Sequence, residues 1–404
     1  MISEVYQPEV KEIFDTLTNV KDARKLYPVT DTCVYLDAAH YAAYSLETAR
    51  RLKDYIDNFT HTNDNLTKFN LKMGTRLCEK CARLINADAQ DIIITGNTTH
   101  GLNIFANGID LTEGDTVAYA DCEFPAVVYP WLNQEKLRGI KTVMIKSSPG
   151  GMVDEGEIER VIRDNNVKVL TISHVEFLGY RNNLHSIKSI CDRYGCYLVV
   201  DAIQGTGVVP FDVNDPAIDY YATGSQKWMM APAGIGFAYI KREMREHVRP
   251  TYASTLGVDY DFDNFLDYRL KFNENGTAYM NSTPNTLGMI GMESSIDLFL
   301  KLGVENIFRH IIHLQDVLIN ELEGSDFYVV SSMEEDHRSN ILLLSHKDPS
   351  HNQAVRIAME EKNIFIAVRE GFIRVSAHLY NNEEDVLTLA REMKNFSVSS
   401  QNLY

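Results

Sequence analysis

The sequence predicts an α/β protein: a mainly parallel sheet with flanking helices, followed by a smaller C-terminal α/β domain. Three observations predict it. Short apolar, often β-branched runs recur at Asp91–Thr95, Thr116–Ala120, Lys141–Ile145, Lys168–Ser173 and Tyr197–Val200, and continuous apolar runs are the mark of strands buried on both faces. Stretches of helical periodicity precede them at Leu46–Phe59 and Leu66–Ile85, and one at Asp154–Arg163 lies between two of them, as a crossover between parallel strands requires. Chemically distinctive residues stand just beyond the runs, Asp201 and Lys227 above all, and in open α/β sheets ligands bind beyond the carboxyl ends of strands.

Composition bounds the rest. The chain has 404 residues, 45% of them hydrophobic and 24% charged, an ordinary globular balance with room for two domains. With 39 basic against 56 acidic side chains the net charge is −17, which disfavours nucleic acid and anionic membrane as partners. The start, MISEVYQPEV, lacks an apolar core and the end, SSQNLY, matches no lipidation signal, so a cytoplasmic protein is expected. No apolar run reaches the ~18 residues of a membrane span. Six cysteines do not make a disulfide framework, and Cys78 and Cys81, spaced C-x-x-C on helical periodicity, have no second Cys/His pair to complete a metal site. A structural role is expected for both, and no metal.

Taken in order, residues 1–30 read as an N-terminal arm, 31–280 as the large domain and 281–404 as the small one. Cys33–Asp37 is a strand that delivers His40 and Tyr41. Asp91–Thr95 runs through Gly96 and Asn97 into Thr98 and Thr99; a strand turning through Gly into a Thr-rich helix start presents free amides, hydroxyls and a positive dipole end, which suits an anion. Thr98 as an ordinary cap is the bland alternative. Thr116–Ala120 leads to Glu123 and Phe124, and Lys168–Ser173 to Glu176. Tyr197–Val200 ends on Asp201, with Gln204 soon after; a second run, Ile218–Ala222, leads to Ser225, Gln226 and Lys227, and Ile235–Ile240 closes the set. An acid and a lysine meeting at one sheet edge suit pyridoxal 5'-phosphate, which needs a lysine for its Schiff base and an acid on its pyridinium nitrogen. Tyr252–Phe272 is irregular and reads as a long functional surface loop. Asn285–Leu302 is a helix opening the small domain, which ends in Ile373–Asn381 and a helix near Glu383–Met393. Arg374, flanked by Phe372, Ile373 and Val375, needs a planar partner, and a substrate carboxylate satisfies its fork.

The pattern Asp-Ala-x-Gln-x-x-Gly from Asp201, then Ser-x-Lys-Trp from Ser225, then Pro-x-Gly-x-Gly from Pro232 resembles the class V aminotransferase-like pyridoxal-phosphate enzymes of fold type I. That family includes cysteine desulfurases, isopenicillin N epimerase-like proteins and C–S lyases, and the resemblance spans roughly Val34 to Lys394. It implies a homodimer with shared active sites acting on an amino acid. Within it, Lys227 and Asp201 are catalytic, Thr98, Thr99 and Ser225 anchor the phosphate with Thr283 reaching from the partner subunit, Gln204 bonds the 3'-oxygen and Phe124 stacks on the ring. Arg374, His40 and Tyr41 contact substrate. Departures are also visible: Phe124 and Gln226 stand where histidines are usual, Ser282 replaces a glycine, and Glu176 stands where Asn or Gln donates to the cofactor. The family's desulfurases carry a nucleophilic cysteine on a loop after a Val-Arg-x-Gly-like segment; here Val368–Gly371 runs almost directly into Arg374, and the last cysteine is Cys196. Transamination or β-elimination of the C–S lyase type is therefore expected, with desulfurase-like or epimerase chemistry as the alternative. A non-catalytic pyridoxal-phosphate regulator is the alternative of another class.

Overall fold

The computed structural model describes residues 7–61, 66–259, 261, 263–264 and 266–397. Seven strands form the central sheet: β1 (Ile92–Thr95), β2 (Thr116–Ala120), β3 (Lys141–Ile145), β4 (Val167–Ser173), β5 (Tyr197–Asp201), β6 (Tyr220–Gly224) and β7 (Gly236–Ile240). Their order is β1-β7-β6-β5-β4-β2-β3. Of the inner strands, β2, β6 and β7 are buried from end to end and β4 and β5 at all but one residue each, which is why their sequences do not alternate. The pairs β2–β3, β2–β4, β4–β5 and β5–β6 are parallel, whereas β7 runs antiparallel to both β1 and β6. The reason is local. A parallel pair needs a crossover, and residues 225–235 between β6 and β7 contain no helix; the chain turns back on itself instead. That turn carries Lys227 across the carboxyl edge of the sheet.

One strand expectation shifts. The run Ile218–Ala222 enters the ladder only at Tyr220, because the Ile218 amide is taken by the carbonyls of Val213 and Pro216 in a turn. The expected loop at Tyr252–Phe272 has no helix or strand among its described residues, with only an isolated bridge between Val258 and Phe272; residues 260, 262 and 265 lie outside the described residues.

A second, four-stranded antiparallel sheet holds β8 (Phe327–Val329), β9 (Leu342–His346), β10 (Ala367–Arg369) and β11 (Phe372–Val375) in the order β8-β9-β11-β10. Two hydrophobic cores result. The first surrounds the central sheet; the second gathers Leu314, Leu318, Leu342, Leu344, Val355 and Ile373. The helix Thr286–Leu302, expected to open the small domain, puts Met289, Met292, Ile296 and Phe299 into the first core. Conversely Leu36, from the N-terminal strand, belongs to the second, where Val34–Tyr35 pairs with Ile364–Phe365. The partition at residue 281 is therefore not where the cores divide: Thr286–Leu302 is apolar around most of its circumference, as a helix buried in a core must be.

Cys78 and Cys81 are buried, with both thiols pushed up by burial. All six cysteines are free, and no group of three or more potential metal ligands occurs among the described residues. Among the described residues no helix is long and apolar enough to cross a membrane.

Candidate active site

Five strand ends converge on one edge. At the end of β5 stands Asp201, which is 3% exposed; its Oδ1 accepts the Ile203 amide at 2.9 Å. Burial pushes its carboxyl up to about 6, opposed by that amide and by the charge of Lys227. Lys227 lies in the turn after β6. Burial pushes its amine down to about 8, with Asp201 and Asp37 pulling the other way and Arg374 and Arg369 adding to the depression. Acid, lysine and two guanidinium groups thus sense one another in a single site. Phe124, beyond β2, is 48% exposed and presents its ring to the Lys227 Nζ at 5.4 Å. Pro125 starts the following helix, Pro125–Arg138, a position where proline suits the helix geometry, and so fixes Phe124 at the strand–helix junction.

The turn bearing Lys227 is held from several sides. The buried Trp228 donates its indole N–H to Gln204 Oε1 at 2.7 Å, and its carbonyl bonds the His378 Nε2 at 2.8 Å. Ala42 N donates to the Gln226 carbonyl, and Ala231 N to that of Ser225. Gln204 is thereby oriented: its oxygen is spent on Trp228, and its amide nitrogen, which reaches the Ala39 carbonyl at 3.3 Å, keeps a second hydrogen.

An anion cradle lies beside this turn. The helix Thr98–Gly108 begins beyond β1, capped by the Asn97 side chain on the His100 amide at 2.8 Å. Thr98 Oγ1 and Gln226 Oε1 are both buried without a hydrogen-bond partner. Both flank Gly224, where an added Cβ would meet Gln226 Oε1 at 2.9 Å and Thr98 Oγ1 at 3.0 Å. An unsatisfied Thr98 hydroxyl at a helix N-terminus, with a glycine keeping the space beside it open, fits a phosphate. With Phe124 above Lys227 and a buried acid at the other end, the set fits pyridoxal phosphate. Thr99, exposed on the first turn of the same helix, lines a surface pocket with Phe124.

Other expected residues fall differently. The Ser225 hydroxyl donates into its own turn, with the Pro232 and Ile235 carbonyls at 2.6 and 2.9 Å. Its hydrogen is engaged within that turn, and Gly224, one residue earlier, borders the cradle. Thr283, at φ 53°, is exposed and lines a separate cavity of about 660 Å³ with Gly74, Cys78, Thr255 and Ser282; neither Lys227 nor Asp201 lines it. His40 and Tyr41 are exposed, His40 Nδ1 lying 3.5 Å from Asp37. Arg374 is buried; it donates to the Phe177 carbonyl at 3.1 Å and lies 3.4 Å from Asp37, while its Nε has no partner. Burial pushes it down to about 10, so it remains a cation at neutral pH. Residues the sequence reading did not place in the site are Asp37, Glu123, Gly224, Gln226 and Arg369. Only Gln226 offered a signal, by standing next to the lysine.

The turn between β10 and β11 consists of Glu370 and Gly371, at φ 47° and 82°, the left-handed pair typical of a two-residue hairpin. Nothing is left there to carry a nucleophile. The Cys122 thiol is pushed up by burial and by Glu176 and Glu123, and Cys33 by burial, so neither is a ready thiolate.

The chain matches the aminotransferase class-V family over residues 34–389. It is 27% identical to a probable cysteine desulfurase of Methanothermobacter thermautotrophicus, the alignment covering 93% of this chain and 97% of that one. It is 22% identical to an uncharacterized aminotransferase of Bacillus subtilis, covering 90% and 94%. Among solved structures, a lysine-to-alanine mutant of C-DES with glycine covalently linked to its pyridoxal-phosphate cofactor superposes with a TM-score of 0.85 at 20% identity, covering 93% of this chain and 99% of that one.

Proposed function

We infer the activity from one premise: the chain belongs to the aminotransferase class-V family. It is a pyridoxal-phosphate enzyme acting on an amino acid, and the observation that carries the residue-level reading is Lys227, half-buried beneath Phe124 within the field of Asp201. When bound, the cofactor supplies an electron sink for a bond at the substrate's Cα. Thr98, with the first-turn amides of its helix, holds the phosphate. Asp201 keeps a proton on the ring nitrogen, and Gln204 has one amide hydrogen left for the ring oxygen. An amine titrating at about 8 is half neutral at that pH, where an ordinary lysine is under ~1% neutral. Lys227 is thus poised first as the nucleophile that anchors the cofactor and then as the base that takes the Cα proton. Arg374 orients the substrate carboxylate through its unpartnered Nε, with Asp37 and the Phe177 carbonyl fixing the fork.

The reaction is transamination or β-elimination. The relative named as a probable cysteine desulfurase points to a sulfur-containing amino acid. With a two-residue turn in place of a nucleophile-bearing loop, sulfur leaves on the substrate's own fragment rather than on a protein thiol. Elimination then breaks Cα–H and Cβ–S, and water releases pyruvate and ammonia. Incubation with L-cysteine or L-cystine, with and without a keto acid, is the test: ammonia without an acceptor establishes elimination, and product only with an acceptor establishes transamination. Arg374→Gln raises the KM for the amino acid by roughly 30-fold or more, since truncating one partner of a buried charged hydrogen bond costs about 2 kcal/mol upward. An unchanged KM would remove Arg374 from the substrate site.

The working form is a homodimer in the cytoplasm. Thr283 supports this reading: it is exposed, on a left-handed backbone, and lines a cavity apart from Lys227, so its service would be to a neighbour's site. A two-fold interface would build two equivalent shared sites. Sedimentation at assay concentration gives a dimer; a fully active monomer would sink the idea.

A further inference from the structure

Behind the site wall, two carboxylic acids meet without a cation. Glu123, just beyond β2, accepts the Ser173 amide at 2.7 Å and the Ser173 hydroxyl at 2.5 Å, so both its oxygens are engaged. Glu176, beyond β4, is wholly buried. Its Oε1 accepts the Asn182 side-chain amide at 2.8 Å, while its Oε2 finds no donor among the described residues, and the Glu123 side chain is within hydrogen-bonding reach of Glu176. Two carboxyl oxygens attract each other only with a proton between them. The other titratable groups facing the pair make matters worse for a second charge: Asp201 opposes ionisation of both, Cys122 and Tyr180 add only acids, and burial keeps His174 neutral.

We propose that Glu123 and Glu176 are a positioning pair that shares one proton through neutral pH, carried by Glu176, and that this contact holds Phe124 against Lys227 and Phe177 against Phe124. The linkage is short. Phe124 follows Glu123 and faces Lys227, and Phe177 follows Glu176. The two rings meet edge-on at 6.2 Å, and the Phe177 carbonyl takes the Arg374 guanidinium. One acid O–H between the two strand ends therefore steadies both the aromatic wall and the carboxylate-binding arginine. Loss of that proton leaves two buried carboxylates beside Asp201, and their repulsion parts the strand ends. Burial and mutual charge raise both groups above the ordinary carboxylate range, and the two Ser173 donors favour Glu123 as the ionised member.

The sign of the pH dependence follows. An acid whose folded value is raised contributes stability that is full below its unfolded value and is lost as pH rises through the folded one. The wild-type Tm should therefore fall from about pH 5 toward pH 9 through this pair. In Glu176→Gln the amide N–H replaces the acid O–H toward Glu123 and cannot ionise. Its Tm advantage over wild type should grow with each pH unit, and the alkaline limb of turnover that the pair causes should vanish. Glu123→Gln places an amide N–H₂ among the Ser173 donors and melts below wild type at every pH. Infrared spectroscopy of the purified wild-type protein should show a protonated carboxyl band at pH 8 that Glu176→Gln lacks. Absence of that band, or a Glu176→Gln protein melting below wild type across the whole range, overturns the proposal. If Glu176→Gln does not fold, titration of the wild-type band from pH 7 to 10 decides alone. The turnover limb rests on the function proposed above, whereas the band and the melting curves do not, so failure of one is distinguishable from failure of the other.

Discussion

Replacing Lys227 by alanine eliminates turnover, by about 10²–10⁴-fold at the least, which is the range a positioned proton-transfer group supplies. The loss is larger in full because the same amine also anchors the cofactor covalently. Wild-type protein should be yellow, and borohydride should bleach it while fixing the cofactor to the chain. Peptide mapping should then find the adduct on the peptide containing Lys227. The geometry makes this lysine the strong candidate: its amine is depressed to about 8 and sits over the Phe124 ring. By contrast, Lys188 is buried but held charged between Asp192 and Asp219 at 2.5 and 3.1 Å. Phosphate contacts at Thr98 and the first-turn amides of its helix do not depend on Lys227, so Lys227→Ala retains non-covalent cofactor binding. Recovery of the reduced cofactor on any other lysine would refute the assignment.

The strands of the central sheet were legible because parallel strands covered on both faces cannot hide their apolar runs, and the acid and lysine were legible because they follow such strands directly. Less was readable where the deciding atoms belong to residues that carry no pattern. Between Ser225 and Gly224 the sequence favoured the hydroxyl, yet that hydroxyl turns inward to Pro232 and Ile235. The glycine, with no side chain to announce it, borders the anion cradle. Glu123 and Glu176 are remote in sequence and meet only because β2 and β4 are neighbours in the sheet. No periodicity encodes that contact. The helix Thr286–Leu302 was read as the start of the small domain because it follows the irregular segment. Its sequence already held the correction: few polar residues on any side, as burial against Leu46–His61 and Leu66–Ile85 demands.

Asp201→Asn should lower turnover while raising the stability of the cofactor-free protein. In the cofactor-free chain, burial raises the Asp201 carboxyl from 3.8 to about 6. Its contribution to stability is thus full below about pH 4 and lost as pH rises through about 6, and the ionised group then costs about 3 kcal/mol at neutral pH by linkage. Asparagine is neutral at every pH and its Oδ1 still accepts the Ile203 amide, so the variant without cofactor should melt higher than wild type at pH 8 and no higher at pH 4. With cofactor bound the balance reverses, because a cation on the ring nitrogen is what stabilises the ionised acid. A unit charge pair a few ångströms apart is worth on the order of 4 kcal/mol at an effective dielectric of 20, so turnover should fall by roughly 10³-fold. The two measurements separate the roles. Lower melting without cofactor would mean that Asp201 supports the fold through its charge, and turnover near the wild-type rate would remove it from the ring nitrogen.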